Sequence, residues 1–271
     1  MTRLDSDDIQ KTAHAMADAA RRAVLPFFRA TGLVTSNKDA HLLDGGFDPV
    51  TEADREAEAV MRHILAERRP DDAIIGEEYG RTEGTSGLTW VLDPIDGTRG
   101  FISGTPTWGV LIAVSDATGP LFGIIDQPYI GERFCGGLGV AEMSGPQGVH
   151  QLRVRGSRPL SDALLFTTYP EVGDTLEQRG FQAVARRVRM TRYGMDCYAY
   201  ALLAAGQIDL VIEAGLSDYD IQAPIAVIQA AGGLVTNWQG GPAQAGGRVI
   251  AVAGQKQHEA ALEILKDIPL A

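Results

Sequence analysis

The residues best placed to do chemistry lie in the run WVLDPIDGTRGFISG, which begins at Trp90. An apolar stretch ends at Asp93, and Pro94, Ile95, Asp96, Gly97 and Thr98 follow. Carboxylates at the carboxyl end of a strand sit where ligand crevices form in layered α/β proteins. The Pro–Ile insert keeps the chain turning, so Asp93 and Asp96 can both point at one ion. A hard cation such as Mg2+ takes oxygen ligands and usually keeps several waters. Gly97 lets the backbone approach a ligand, and the N–H groups around Gly97 and Thr98 could cradle a phosphate at a helix start. Taken alone, the run reads more simply as a surface turn with two solvated aspartates.

Further acids argue against that simpler reading. Glu77 and Glu78 follow an apolar run at Ala73–Gly76, and Asp220 lies in SDYDIQAP ahead of a helical stretch from Gln222. In DPVTEAD, Asp48 and Thr51 precede a second helical stretch and Asp54 lies inside it. Each has a local explanation: Asp220 as a helix N-cap, Glu77 as ordinary surface, and Thr51 with Asp54 as a capping pair.

The elements that must position these acids follow from apolar periodicity. Ile9, Ala13, Met16, Ala17, Ala20, Val24 and Phe27 recur at helical spacing. A polar segment from Thr35 to Pro49 reads as a loop, and Ala53, Ala57, Val60, Met61, Ile64 and Leu65 mark a second helix that Pro70 ends. Short apolar runs at Ala73–Gly76, Trp90–Asp93, Trp108–Ser115, Leu121–Gln127 and Arg133–Gly137 predict strands, several of them antiparallel. Beyond the Gly- and Pro-containing stretch Met143–Gly156, strand-like runs (Leu164–Thr168, Val188–Met190, Leu210–Glu213, Val249–Ala253) alternate with helical ones (Asp174–Arg186, Asp196–Ala205, Gln222–Ala231, Gln257–Lys266). That is an α/β layout. Two halves are expected, an α+β half at 1–145 with most of the acids and an α/β half at 146–271, with the site between them.

The 271 residues carry a formal net charge of −11, which repels nucleic-acid phosphates, and no basic run is long enough to overcome it. Cys135 and Cys197 make no disulfide framework, and no apolar stretch is long enough to span a bilayer. A soluble cytoplasmic protein with no nucleic-acid or membrane partner is expected. His14, His41, His63, His150 and His258 lack zinc-ligand spacing, and the chain holds neither a Walker-type loop nor a Gly-x-Ser-x-Gly elbow. A haloacid dehalogenase-type reading fails because its nucleophilic aspartate would fall at Pro94.

Together, DPVTEAD, GEE at Gly76, DPIDGT at Asp93 and YDIQAPIAVIQAAGG resemble the signature segments of the inositol monophosphatase-like family, in its order, from Asp48 to Gly233. TRGFISG and GMDCYAYALLAAGQIDLVIEAGL look most like its histidinol-phosphate phosphatase branch. The resemblance implies an αβαβα layered sandwich of mixed α/β (α+β) class, and a homodimer. It implies two or three Mg2+ ions held by Glu77, Asp93, the Ile95 carbonyl, Asp96 and Asp220. Substrate phosphate would lie on the Gly97–Thr98 backbone beside Asp96 and Asp220. Glu77 and Thr98, with Asp48 acting through Thr98, would orient and deprotonate the attacking water. The chemistry agrees: a metal-bound water is a good nucleophile near neutral pH, and paired cations neutralise the attacking and leaving oxygens. No covalent phosphoenzyme is expected.

Specificity is expected from the second half. Arg192 would contact phosphate or the substrate backbone, or else be simply solvated. Glu213 matches a family position against the substrate's polar body. Asp196 would join it, or serve only as a helix N-cap. Carboxylates there suit a cationic amino alcohol bearing an imidazole, so histidinol phosphate is the expected small-molecule ester. Inositol 1-phosphate or another sugar or nucleotide monophosphate is the alternative, and a non-catalytic binding protein the reading from another class. The Thr35–Asp48 stretch, with Lys38, is longer than is usual in the family.

Overall fold

The structure, a computed structural model, describes residues 3–30, 35–37 and 49–266. Two helices, α1 (Arg3–Val24) and α2 (Glu52–Arg68), form the first layer. Most of the predicted stripes bury fully (Ile9, Ala13, Met16, Ala17, Ala20 and Val24 from the first, Ala53, Ala57 and Met61 on α2), while Phe27, Val60 and Ile64 are half-buried. Between the helices in sequence, β1 (Thr35–Asn37) pairs antiparallel with β2 (Pro49–Thr51). Asp48, Lys38 and most of the long loop lie outside the described residues.

Then come β3 (Ala73–Gly76), β4 (Gly80–Thr82), β5 (Thr89–Asp96), a short helix α3 (Thr98–Ser103), and β6 (Gly109–Asp116). After these come β7 (Gly119–Gln127), β8 (Glu132–Gly137), β9 (Val140–Gly145) and β10 (Gly148–Gln151). They build one eight-stranded sheet in the order β10-β9-β8-β7-β6-β5-β3-β4. It is antiparallel throughout except where β3 runs parallel to β5, with Gly76 opposite Leu92. Residues β4, β9 and β10 contribute are exposed or half-buried, so those strands lack the apolar alternation that marks a strand in sequence. The β9–β10 pair also carries the first sheet past residue 145, so the change of sheet falls after Gln151.

The second sheet holds β11 (Leu164–Thr167), β12 (Met190–Tyr193), β13 (Leu210–Leu216), β14 (Leu234–Asn237) and β15 (Gly247–Val252), in the order β12-β11-β13-β15-β14. Helices α5 (Asp196–Ala204) and α6 (Asp218–Ala230) pack between the two sheets, and α4 (Thr175–Ala185) and α7 (Gln255–Leu265) cover the outer face of the second. The layers are therefore αβαβα, with an apolar core in each interval. Helix α6 sits directly on the first sheet because β8 offers a glycine beneath it. A Cβ on Gly136 would lie 2.4 Å from the Val227 Cα. Among the described residues no helix is long and apolar enough to cross a membrane.

Candidate active site

The site forms where β3 and β5 end side by side. The parallel register carries Glu77 past Gly76 and next to Asp93, and the Glu77 N–H donates to the Leu92 carbonyl at 3.3 Å. Asp93 is 2% exposed. Side chains three apart on a regular strand face opposite ways. Here the β5–β6 register slips between Asp93, opposite Leu111, and Asp96, opposite Gly109. Three steps on β5 thus answer two on β6, and this bulge turns Asp96 to the face of Asp93. Asp93 Oδ1 also accepts the Ile95 N–H at 3.1 Å.

The third acid arrives from the middle layer. Asp220 is the third residue of α6, and its Oδ2 accepts the Ser217 N–H at 2.6 Å. It is therefore not the N-cap, a place that Ser217 takes. Pro224, four residues on, has no N–H to donate to the Asp220 carbonyl. Asp93, Asp96 and Asp220 each offer an oxygen within 4.8 Å of the others, and Asp54, Glu77 and Glu78 form a second such group.

The two groups feel each other. Burial pushes the Asp93 carboxyl well up, and the charges of Glu77, Asp96, Asp220 and Asp54 push it further. Asp96 is raised by burial, then by Asp196 and Asp220. Asp220 is raised to about 7, chiefly by burial, with Glu77 and Glu213 adding to it. Mutually repelling carboxylates with no nitrogen or sulfur donor among them fit a hard divalent cation.

Gly97 has φ 83, and a Cβ there would meet Asp196 at 2.8 Å. The chain can turn into α3 at this point only with glycine. Thr98 follows, and its hydroxyl donates to the Ile95 carbonyl at 3.1 Å, leaving that oxygen a second lone pair. Across the site, the Cys197 N–H at the start of α5 donates to Asp96 Oδ2 at 2.6 Å.

These groups open into a cavity of 360 Å3 lined by Glu77, Asp96, Gly97, Thr98 and Asp220 together with Asp196, Tyr200, Glu213 and Tyr219. Asp196 opens α5 with φ 45, preceded by Met195 as N-cap, so its carboxyl does not cap the helix. Its Oδ2 instead accepts from the Thr107 hydroxyl at 3.3 Å. Burial, and then Glu213, raise Asp196 to about 6. Glu213 is buried and its carboxyl is raised by that burial. It accepts the Thr168 N–H and hydroxyl at 3.0 and 2.6 Å and the Tyr200 hydroxyl at 2.7 Å.

Arg192 is not among the residues lining this cavity. It is exposed on the edge strand β12, with its guanidinium 5.9 Å from the centre of the Phe166 ring. The arginine that does line the cavity is Arg99, lying 4.9 Å from the Tyr169 ring centre. Arg99 immediately follows Gly97–Thr98 and Tyr219 immediately precedes Asp220, and those adjacencies were the available signals; nothing in the sequence pointed to Tyr169.

The model of the Inositol monophosphatase family matches residues 5–270. Bifunctional phosphatase IMPL2, chloroplastic, of Arabidopsis thaliana is 39% identical over 237 residues, which cover 86% of this chain and 65% of that protein. Histidinol-phosphatase of Streptomyces coelicolor is 34% identical over 262 residues, covering 93% of this chain and 95% of the relative. Among solved structures, an inositol monophosphatase from Zymomonas mobilis superposes with a TM-score of 0.84 at 38% identity, over 96% of this chain and 98% of that one.

Proposed function

The chain belongs to the inositol monophosphatase family and is a phosphoric monoester hydrolase, and we propose that its substrate is histidinol phosphate and its metal Mg2+. The observation that carries the substrate reading is the pair of acids lining the cavity, half-buried Asp196 and buried Glu213. A buried carboxylate with unused lone pairs gains most from a cationic partner. Histidinol offers an ammonium and an imidazole, whereas inositol offers only neutral hydroxyls. The 34% identity to a histidinol-phosphatase supports the same reading.

In this proposal Glu77, Asp93, Asp96, Asp220 and the Ile95 carbonyl hold two or three ions. The ions, when bound, supply positive charge to the phosphoryl oxygens and make water acidic. The N–H groups of Gly97 and Thr98 take the phosphate. Thr98 would orient the water, and Glu77, with Asp48 acting through Thr98, would accept its proton as the water oxygen attacks phosphorus in line. The ester P–O bond breaks, and the departing alkoxide leaves as the alcohol once it takes up a proton. Arg99, lying against Tyr169, lines the same cavity as Asp196. Two halves meeting at the site, a homodimer and a cytoplasmic location complete the proposal, supported by the family's habits and the acidic, cysteine-poor composition.

The test is phosphate release with Mg2+ from histidinol phosphate, inositol 1-phosphate, a sugar bisphosphate and a 3′-phosphoadenosine nucleotide. A kcat/KM for histidinol phosphate at least tenfold above the rest is expected. If inositol 1-phosphate turns over as fast, the substrate reading is lost and the phosphatase assignment stands.

A further inference from the structure

We infer that Glu58, with Arg62, is the positioning residue that sets Glu77 for metal binding; this rests on the reading of Glu77 as a metal ligand. Glu58 lies on α2, one turn beyond Asp54, and is fully buried. It is not among the residues that line the cavity. Its Oε2 accepts the N–H of Glu78 at 2.7 Å, and its Oε1 accepts the N–H of Tyr79 at 3.2 Å.

Arg62 stands one further turn along α2 and donates from Nε to Glu58 Oε1 at 2.7 Å. The other end of its guanidinium reaches the far side of the same turn, donating to the Thr82 hydroxyl at 3.0 Å and to the Gly80 carbonyl. Two residues spaced for a helix face thus grip the β3–β4 connection immediately after Glu77, from Glu78 to Thr82. The sequence has made room for this. A Cβ on Gly76 would fall 2.0 Å from Glu58 Oε1, so the carboxylate occupies the space beside the residue just before Glu77.

Backbone N–H groups on a buried carboxylate fix a turn more tightly than water can, because both partners are desolvated and one is charged. With Gln in place of Glu58 one of the two acceptor oxygens becomes an NH2 group and the charge is lost, so either the Glu78 N–H or the Tyr79 N–H gives up its acceptor and the turn after Glu77 is held less tightly. Groups that orient a metal ligand in this way are worth roughly 10–100-fold in metal affinity when lost.

The experiment uses the full chain and three variants, Glu58→Gln, Arg62→Lys and Glu77→Gln, titrated with Mg2+ by calorimetry and, in parallel, by phosphate release. Glu58→Gln is expected to weaken Mg2+ binding and raise the half-saturating Mg2+ concentration by roughly 10–100-fold, with turnover recovering as Mg2+ is raised. Arg62→Lys keeps the charge but loses the fork; it shows the same shift in smaller measure and replaces Glu58→Gln if that variant does not fold. Unchanged Mg2+ binding in both overturns the proposal, even if their melting temperatures fall, because a purely structural clamp would move only the latter. Should Glu77→Gln itself bind Mg2+ as the parent does, it is the ligand reading that fails instead.

Discussion

The backbone N–H of Cys197 donates to Asp96 Oδ2 at 2.6 Å, so the first turn of α5 holds one oxygen of an acid that belongs to β5. Asp96 therefore keeps its other oxygen for the cluster with Asp93 and Asp220, and the strand end and the helix start are fastened to each other at the site itself.

Replacing Asp93 with Asn removes one charge from the centre of that cluster while keeping the shape. Turnover is expected to fall by on the order of 10²–10³, and the metal-free protein to gain on the order of 1 kcal/mol of stability from relieved repulsion. Steady-state kinetics with Mg2+ and thermal melts in chelator check both. A variant that keeps full activity contradicts the site.

The metal-free chain should lose stability as pH rises. Asp220 moves from its ordinary 3.8 to about 7 in the folded protein. Between those values the folded chain keeps a proton that the unfolded chain has released. Stability is thus greatest below the unfolded value and declines through the folded one. Asp93 and Asp96, raised by burial, act in the same direction. Melts in chelator from pH 4 to pH 8 should show a falling midpoint, and Mg2+ at a hundredfold excess over its Kd should restore about 2.7 kcal/mol at the upper end. A midpoint that climbs over this range refutes it.

Glu213→Gln tests substrate charge. The amide keeps one acceptor for Thr168 or Tyr200 but loses attraction for a cation. A loss of about 1.5–3 kcal/mol in binding is expected for a charged partner, seen as a raised KM for histidinol phosphate with kcat nearly kept. Inositol 1-phosphate should respond far less. Equal losses for both esters would remove the electrostatic argument.

Gly97→Ala places a side chain at φ 83 and against Asp196. The backbone conformation alone costs about 1–2 kcal/mol, and the contact displaces the phosphate end of the cavity. Both melting temperature and kcat/KM should fall. An unaffected enzyme would mean that the turn has another way to form.

Much of this was readable in the residues. Most of the apolar faces of α1 and α2 came straight from spacing, and Glu77, Asp93, Asp96 and Asp220, singled out by type and motif, are brought together by the fold. The simpler readings of other residues fall away for local reasons. Asp220 resembled an N-cap because Ser217, three residues earlier, is an equally ordinary cap. Asp196 resembled one because its φ of 45 cannot be seen in a residue type that merely tolerates it. Arg192 sits at a strand end as expected, but on the outermost strand, where its side chain turns to Phe166 and solvent. Glu58 shows in sequence only its i,i+4 spacing to Arg62, since the backbone groups it holds are twenty and twenty-one residues away.

The slipped register between Asp93 and Asp96 makes the length of that motif part of the site. Deleting Pro94 or Ile95 would remove the extra residue of the bulge, leaving the two acids two steps apart on one face but without the turn that brings the Ile95 carbonyl to Thr98, whereas surface hairpins such as β9–β10 can change length without touching the centre. The molecule is therefore least tolerant of indels along a stretch of four residues, and a library of length variants should show activity collapsing there first.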